Sequence, residues 1–471
     1  MPWSITGARG ALFLYLLVVP WLPGLMSLRT GHDLARALQM LLWLAAGLAL
    51  WRRAGAPSLR GAALALALLL AALALVGLAP QPGWAALELA QWVGMVVVAL
   101  LVADLVRAGG RWREALGWTL LAASALQGGL EVLMAVLGLL GGIAPRPDLL
   151  GQGYDNLRFL NHVQTLSLPL TLVGLAWAGD TPPARRLATL ALACGGAVLW
   201  ASGGRATELA LLLALALVAA VGRPARALLA RRLLPGLLLS VGVYALVWRA
   251  APALLGLASD GVAAGRLVSS VNDQARLTLW HAAWQQWLGH PWWGIGPMHL
   301  AAQPSRYAMH PHQLPLQLLA EWGAVVVLAL LTVLGVWLRQ RWRAWQAALA
   351  TGPALAFTAS LWAVLASLVD AQFSGNAVMP VSQVWLALAW GALMGAGEAP
   401  ARPAASAWMA ACTRGLVLAL LAGAAVLTSA QWPTLDERLK QSLADGQAPR
   451  TQPRFWSHGR LTPLWPAPGA Q

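Results

Sequence analysis

The sequence predicts an all-α polytopic membrane protein with about 12–13 transmembrane helices. Three observations predict it. The chain is 59% hydrophobic and only 10% charged, a profile that fits no soluble domain. Apolar runs close to the roughly 20 residues that cross a bilayer recur along nearly its whole length. The arginines fall in every second loop between those runs, which is how the positive-inside rule writes orientation. The net charge of +15 is therefore an orientation signal, and no nucleic-acid partner is expected.

In chain order the spans fall at roughly 11–28, 34–51, 61–79, 85–105, 115–143, 162–179, 187–202, 206–222, 233–250, 314–338, 352–370, 381–396 and 415–430. The first follows Arg9 without a convincing cleavage site and reads as a retained helix. Basic loops at Arg52–Arg60, Arg107–Arg113, Arg185–Arg186, Arg223–Arg232, Arg339–Arg343 and Arg402–Arg414 put the N-terminus and these loops on the cytoplasmic side. Residues 1–430 then form a single transmembrane domain, and 431–471 a tail rich in proline and tryptophan. That tail breaks the pattern: it falls outside, yet holds Arg438, Lys440, Arg450, Arg454 and Arg460. Cys194 and Cys412 suggest neither a disulfide nor a metal site built on sulfur.

Two outward loops are long, Pro145–His162 and residues 251–312. The second holds its own helix in "SSVNDQARLTLWHAAWQQWLGHPWWGIGP". Leu277, Trp280, Trp284, Trp287 and Leu288 share one face, so an amphipathic helix on the outer membrane surface is expected. Asn272 is expected as its N-cap and "GHPWWGIGP" is expected to break it.

Three arginines lie at outward helix ends. Arg205 opens a helix after the Gly203–Gly204 turn, where a cation is badly placed unless an anion binds. The bland reading is a pair with Glu208. Arg276 has the same character, with Asp273 as the bland partner. Arg158, beside Asn161 and His162, reads equally as an interfacial arginine or a ligand. Together they suit a phosphate, which guanidinium grips with two parallel donors. His310 and His312 flank Pro311 where a helix begins near Leu314. An imidazole there can accept a proton at neutral pH or serve as a structural cap. Divalent metal is not indicated, because no Asp-x-Asp motif and no His/Glu helical pair accompanies them. Glu88, Glu131, Glu208 and Asp370 lie in or near apolar runs and keep a transporter reading open.

The order "RFLNHVQTLSLPL", "SGGRATELALLL", "ARLTLWHAAWQQWLGHPWWGIGP", "HPHQLPLQLLAEWG" resembles the O-antigen ligase and polymerase superfamily of bacterial inner membranes, related to protein O-oligosaccharyltransferases. Arg276, Trp280, Pro291, Gly294, Gly296, His312, Glu321 and Gly323 occupy the motif positions, with Gln313 where asparagine is usual. The resemblance implies a C-type glycosyltransferase fold that needs no metal or other cofactor and inverts the anomeric carbon. The donor would be a glycan on undecaprenyl pyrophosphate, and the acceptor lipid A–core, at the periplasmic face of the inner membrane among its lipids. Arg158, Arg205 and Arg276 would hold the pyrophosphate and His312 would act on the acceptor hydroxyl. Asn161, Arg306, His310, Gln313 and Glu321 would support them. A polymerase or a protein O-oligosaccharyltransferase is the alternative with the same donor, the latter favoured slightly by the tail. A flippase for the lipid-linked glycan is the alternative that is not an enzyme.

Overall fold

The computed structural model describes residues 3–19, 31–51, 59–151, 154, 156–257, 271–302, 308–351, 354–397, 407–435, 437 and 454–456. Its regular structure is helical throughout the described residues. In chain order the helices are α1 (Trp3–Val18), α2 (Gly31–Trp51), α3 (Leu59–Leu78), α4 (Pro82–Ala108), α5 (Gly110–Leu140), α6 (Leu157–Trp177) and α7 (Pro182–Ser202). They continue with α8 (Arg205–Ala220), α9 (Arg223–Ala245), α10 (Val271–Gly289), α11 (Leu314–Thr351), α12 (Leu355–Asp370), α13 (Pro380–Gly395) and α14 (Ala407–Gln431).

Six stretches among the described residues are long and apolar enough to cross a membrane: Gly31–Trp51, Pro82–Ala108, Gly110–Leu140, Arg223–Leu254, Leu314–Thr351 and Trp408–Thr434. The expected spans outnumber these for a physical reason. Helix α6 buries Asn161, His162, Gln164, Thr165, Ser167 and Thr171, which lowers its apolarity. Helices α8, α12 and α13 are short, 16 residues each. The chain is a multi-pass, all-α membrane protein.

Several boundaries move outward from the apolar runs. Arg223–Arg232 is helical, as the first turns of α9, and α11 continues through Arg339–Arg343 to Thr351. Arginine is a good helix former, so helices run on past the apolar stretch. The far end of α9 continues through a π turn at Leu246–Ala250 to Leu254, so the long loop begins later than 251. Helix α6 begins at Leu157, because the Asn156 side chain accepts the Arg158 N–H at 2.8 Å and caps it.

Close helix approach builds the core. A Cβ on Gly128 of α5 would lie 2.5 Å from the Gly195 nitrogen of α7, and one on Gly117 would lie 2.7 Å from Ala178 beyond α6. Small residues at such crossings let backbones meet, the main source of helix association in lipid. Helix α6 thus lies against α5 and α7 on one side and α12 on the other. At the arginine-rich end, Arg107 donates to the Met394 carbonyl at 2.7 Å and Arg341 to the Ala396 carbonyl at 3.1 Å. Both satisfy orphan carbonyls at the C-terminus of α13. Asp180 joins Arg185 at 3.0 Å and also pairs with Arg232.

Candidate active site

The opposite end of the bundle gathers the residues of chemical interest. Helix α10 does not present one apolar face. Leu279 and Ala283 are buried, and half-buried Trp280 and Trp287 pack with Leu300, Leu316 and Ala320. Leu277, Trp284 and Leu288, expected on the same face as those tryptophans, are instead exposed. Helical periodicity puts Arg276 on the packed side, in line with Trp280, Ala283 and Trp287. The Trp280 indole N–H donates to the Pro311 carbonyl at 2.8 Å and so ties α10 to the His310–His312 segment.

The "PWWGIG" turn seats on α11 backbone to backbone. Helix α11 is broken at Gly323, with φ 76° and ψ 171°, a region nearly closed to residues with a Cβ. The break frees backbone groups, and the turn takes them. Ile295 and Gly296 N–H groups donate to the Ala320 and Glu321 carbonyls at 2.9 and 3.1 Å, and the Ala324 N–H donates to Pro291 at 2.8 Å. Gly294, at φ 70°, passes so close that a Cβ would lie 2.4 Å from the Glu321 carbonyl carbon. The motif glycines are thus contact points of one clip.

His312 follows this clip. Helix α11 starts at Leu314, whose N–H donates to the Ala371 carbonyl at 2.8 Å. His312 has φ +54°, a left-handed backbone unusual for a residue with a side chain. Its N–H donates to His310 Nδ1 at 3.3 Å, and the two rings lie 4.1 Å apart. His310 is buried and fits against Gly375 in the α12–α13 turn, where a Cβ would meet its Cε1 at 2.5 Å. Burial, with the Arg276 guanidinium second, lowers the His312 imidazole to about 4. Burial, then His312, Arg454 and His162, hold His310 well below its ordinary value. Both rings are therefore neutral at pH 7.

Around them stand the expected cations. Arg276 is the charge closest in effect to His312. Arg158, exposed in the first turn of α6, lies within electrostatic reach of His162, which in turn reaches His312. Arg205 is exposed at the start of α8, after Gly203 takes the left-handed conformation expected of that turn. A Cβ on Gly204 would lie 3.0 Å from the Asn161 side chain, so the start of α8 rests on Asn161, the neighbour of His162. Asn161 Nδ2 donates to Ser202 Oγ at 2.8 Å and Gln164 Oε1 at 2.9 Å. Among the described residues, buried Asn161 Oδ1 and His162 Nδ1 have no hydrogen-bond partner. Arg158, Arg205 and Arg276 thus stand in the opening turns of α6, α8 and α10; Arg158 acts on His162 and Arg276 on His312. Gln313 is half-buried beside His312, and its carbonyl receives the Gln317 N–H at 3.0 Å. Arg306 lies outside the described residues.

Three of the carboxylates suggested as transport sites, Glu88, Glu131 and Asp370, have structural partners. Glu131 Oε2 accepts the Gly151 N–H at 3.1 Å, and Asp370 Oδ2 accepts from Ser374 Oγ at 2.7 Å. Glu88 and Glu321 share Arg454, and Glu321 Oε1 also takes the Leu300 N–H at 3.1 Å. Sequence reasoning missed the Arg454 link, because the partners lie 366 and 133 residues away. The usable signal was an arginine on the wrong side for the positive-inside rule, which implies an acidic partner. It also missed buried Arg36, which donates to Gln39 Oε1 at 2.6 Å and to the Val378 carbonyl at 2.6 Å.

A family model described as O-antigen ligase matches residues 190–331, the stretch that holds Arg205, Arg276, His310, His312 and Glu321. Arg158 and Asn161 lie outside the matched stretch. No curated protein matches the chain. Over this stretch, which also carries the histidine pair and the glycine clip, the match supports a similarity to the O-antigen ligase superfamily.

Proposed function

We propose that the protein moves a glycan from undecaprenyl pyrophosphate to lipid A–core at the periplasmic face of the inner membrane. One observation carries this reading: neutral His312 stands beside Arg276, with Arg158 and Arg205 in the opening turns of neighbouring helices. Helix N-termini with free amides and guanidinium groups favour an anion.

In the reaction, the acceptor hydroxyl oxygen attacks the anomeric carbon from the face opposite the leaving group. The bond from that carbon to the pyrophosphate oxygen breaks with its electron pair, so the configuration inverts. The hydroxyl proton passes to His312. The departing diphosphate gains one negative charge with that electron pair, which the arginines stabilise as it develops. Donor binding also feeds back on the base. A diphosphate beside Arg276 offsets the positive charge that lowers His312, so the imidazole becomes more basic once the donor is seated.

The test is reconstitution of the purified protein with both lipids and a chelator. We expect conjugate to form. His312→Ala should insert normally and lose about 10²–10⁴-fold in rate, the usual span for removal of a general base. Full activity in that variant rejects the assignment. Polymerase and protein transferase share this donor site, so formation of a longer lipid-linked glycan or a glycopeptide in place of the conjugate reassigns the acceptor alone.

A further inference from the structure

Three residues of the tail fold back into the bundle. Phe455 is 0% exposed and Trp456 2%. The Phe455 carbonyl accepts Arg36 Nε at 3.1 Å and pairs with His32 Nε2 at 3.3 Å, while the Arg36 guanidinium lies 4.9 Å from the Phe455 ring. The Trp456 indole N–H donates to Gln431 Oε1 at 2.7 Å. This anchoring fixes Arg454 at one depth. Its two outer nitrogens fork onto both Glu321 oxygens at 2.8 and 2.9 Å, and Nη2 reaches Glu88 Oε2 at 3.0 Å. Nη1 also donates to the Met309 carbonyl at 3.4 Å.

These contacts bear on Leu300 and on Met309, the residue before His310. Glu321 takes the Leu300 N–H, and Arg454 takes the Met309 carbonyl. Glu88 belongs to α4, Glu321 to α11 and Arg36 to α2, so the tail joins early helices to the helix that opens behind His312. The charges depend on one another. Two buried carboxylates need compensating cations, and a guanidinium at this depth is tolerable only between such acids.

We propose that Arg454 is a positioning residue that holds the His310–Pro311–His312 segment in its working pose through Glu321 and the Met309 carbonyl. The proposal rests on the reading of His312 given above. Arg454 touches neither substrate nor reacting atoms; the tail supplies order to the segment that does.

The test uses the full-length protein in nanodiscs, as wild type, Arg454→Lys, Arg454→Met, and Arg454→Met combined with Glu88→Gln. The double variant removes one carboxylate with the cation, so it remains informative should the single variant fail to fold. Hydrogen exchange is read at the amides of Met309–Leu316, with Ala191–Leu199 of α7 as the internal reference. We expect at least about tenfold faster exchange at Met309–Leu316 in the methionine variants, with the reference unchanged, since local opening reports local contacts. For transfer we expect kcat to fall about tenfold with acceptor KM within about twofold, and Arg454→Lys to recover part of the loss. Unchanged exchange in both methionine variants overturns the proposal, as does faster exchange with undiminished kcat. Absence of transfer by the wild type would reject the proposed function instead, and the exchange measurement would still decide whether Arg454 orders this segment.

Discussion

At His312 the backbone and the charge environment both depart from the ordinary. The φ of +54° puts His312 in the left-handed region, and the N–H to His310 Nδ1 bond holds that turn. Groups with electrostatic influence here are His162 from α6, Arg276 from α10 and the adjoining His310. None is an acid, so nothing in this set opposes the lowering of His312. The group is thus an unprotonated base down to about pH 4 in the free protein. Protonation removes the base, so activity is lost as pH falls, not as it rises. We expect kcat/KM, which reports the free enzyme, to stay flat from about pH 8 to 6 and to fall only toward the low His312 value. Arg276→Gln removes the second cause of the lowering, so its acid limb should move up toward the ordinary histidine value while overall turnover drops. A wild-type limb already at the ordinary value, and unmoved by this substitution, would contradict the account.

At the scale of elements, the clip between the "PWWGIG" turn and broken α11 decides where His312 can stand. Gly323 has no tolerant substitute. A Cβ there would lie 2.2 Å from the Trp292 carbonyl oxygen, and the backbone angles are costly before that clash is counted. Gly323→Ala should destabilise by about 3 kcal/mol or more, since strain of this class alone costs about 1–3 kcal/mol. Thermal unfolding in detergent reads it, and an unshifted midpoint would show the break to be soft. Gly423→Ala, at a site where a Cβ meets nothing within 4 Å, is the control. This clip also shows what a sequence can disclose. The glycines, Pro291 and Glu321 were visible only as motif positions of the resembled family, and the start of α11 near Leu314 followed from Pro315. Their purpose was hidden, because backbone-to-backbone seating leaves no side-chain pattern. The split face of α10 was hidden for a related reason: periodicity groups Leu277 with Trp280, but only the position of α11 decides which flank is covered. Arg454 shows the other limit, since pairing across hundreds of residues has no local signature.

For the whole molecule, the two ends of the bundle carry different kinds of arginine. At one end Arg107 and Arg341 complete the C-terminus of α13, and Arg185 and Arg232 meet Asp180. At the other, Arg158, Arg205 and Arg276 stand in opening helix turns, while Arg454 is neutralised within the protein. Arg454 therefore sits at the arginine-poor end without violating the orientation rule, because an arginine paired to Glu88 and Glu321 adds no free charge to that face; Arg438, Lys440, Arg450 and Arg460 lie outside the described residues. This makes membrane orientation testable independently of any chemistry. Ile143 is exposed beyond the C-terminus of α5 at the His312 end, and Arg343 is exposed near the opposite end of α11. In a background with Cys194→Ala and Cys412→Ser, Ile143→Cys should react with an impermeant maleimide added outside spheroplasts. Arg343→Cys should react only after the membrane is opened. The reverse pattern would put the His312 end in the cytoplasm and deny a periplasmic acceptor access to it. Equal labelling of both would mean that the protein inserts in two orientations, which the one-sided clustering of arginines should prevent.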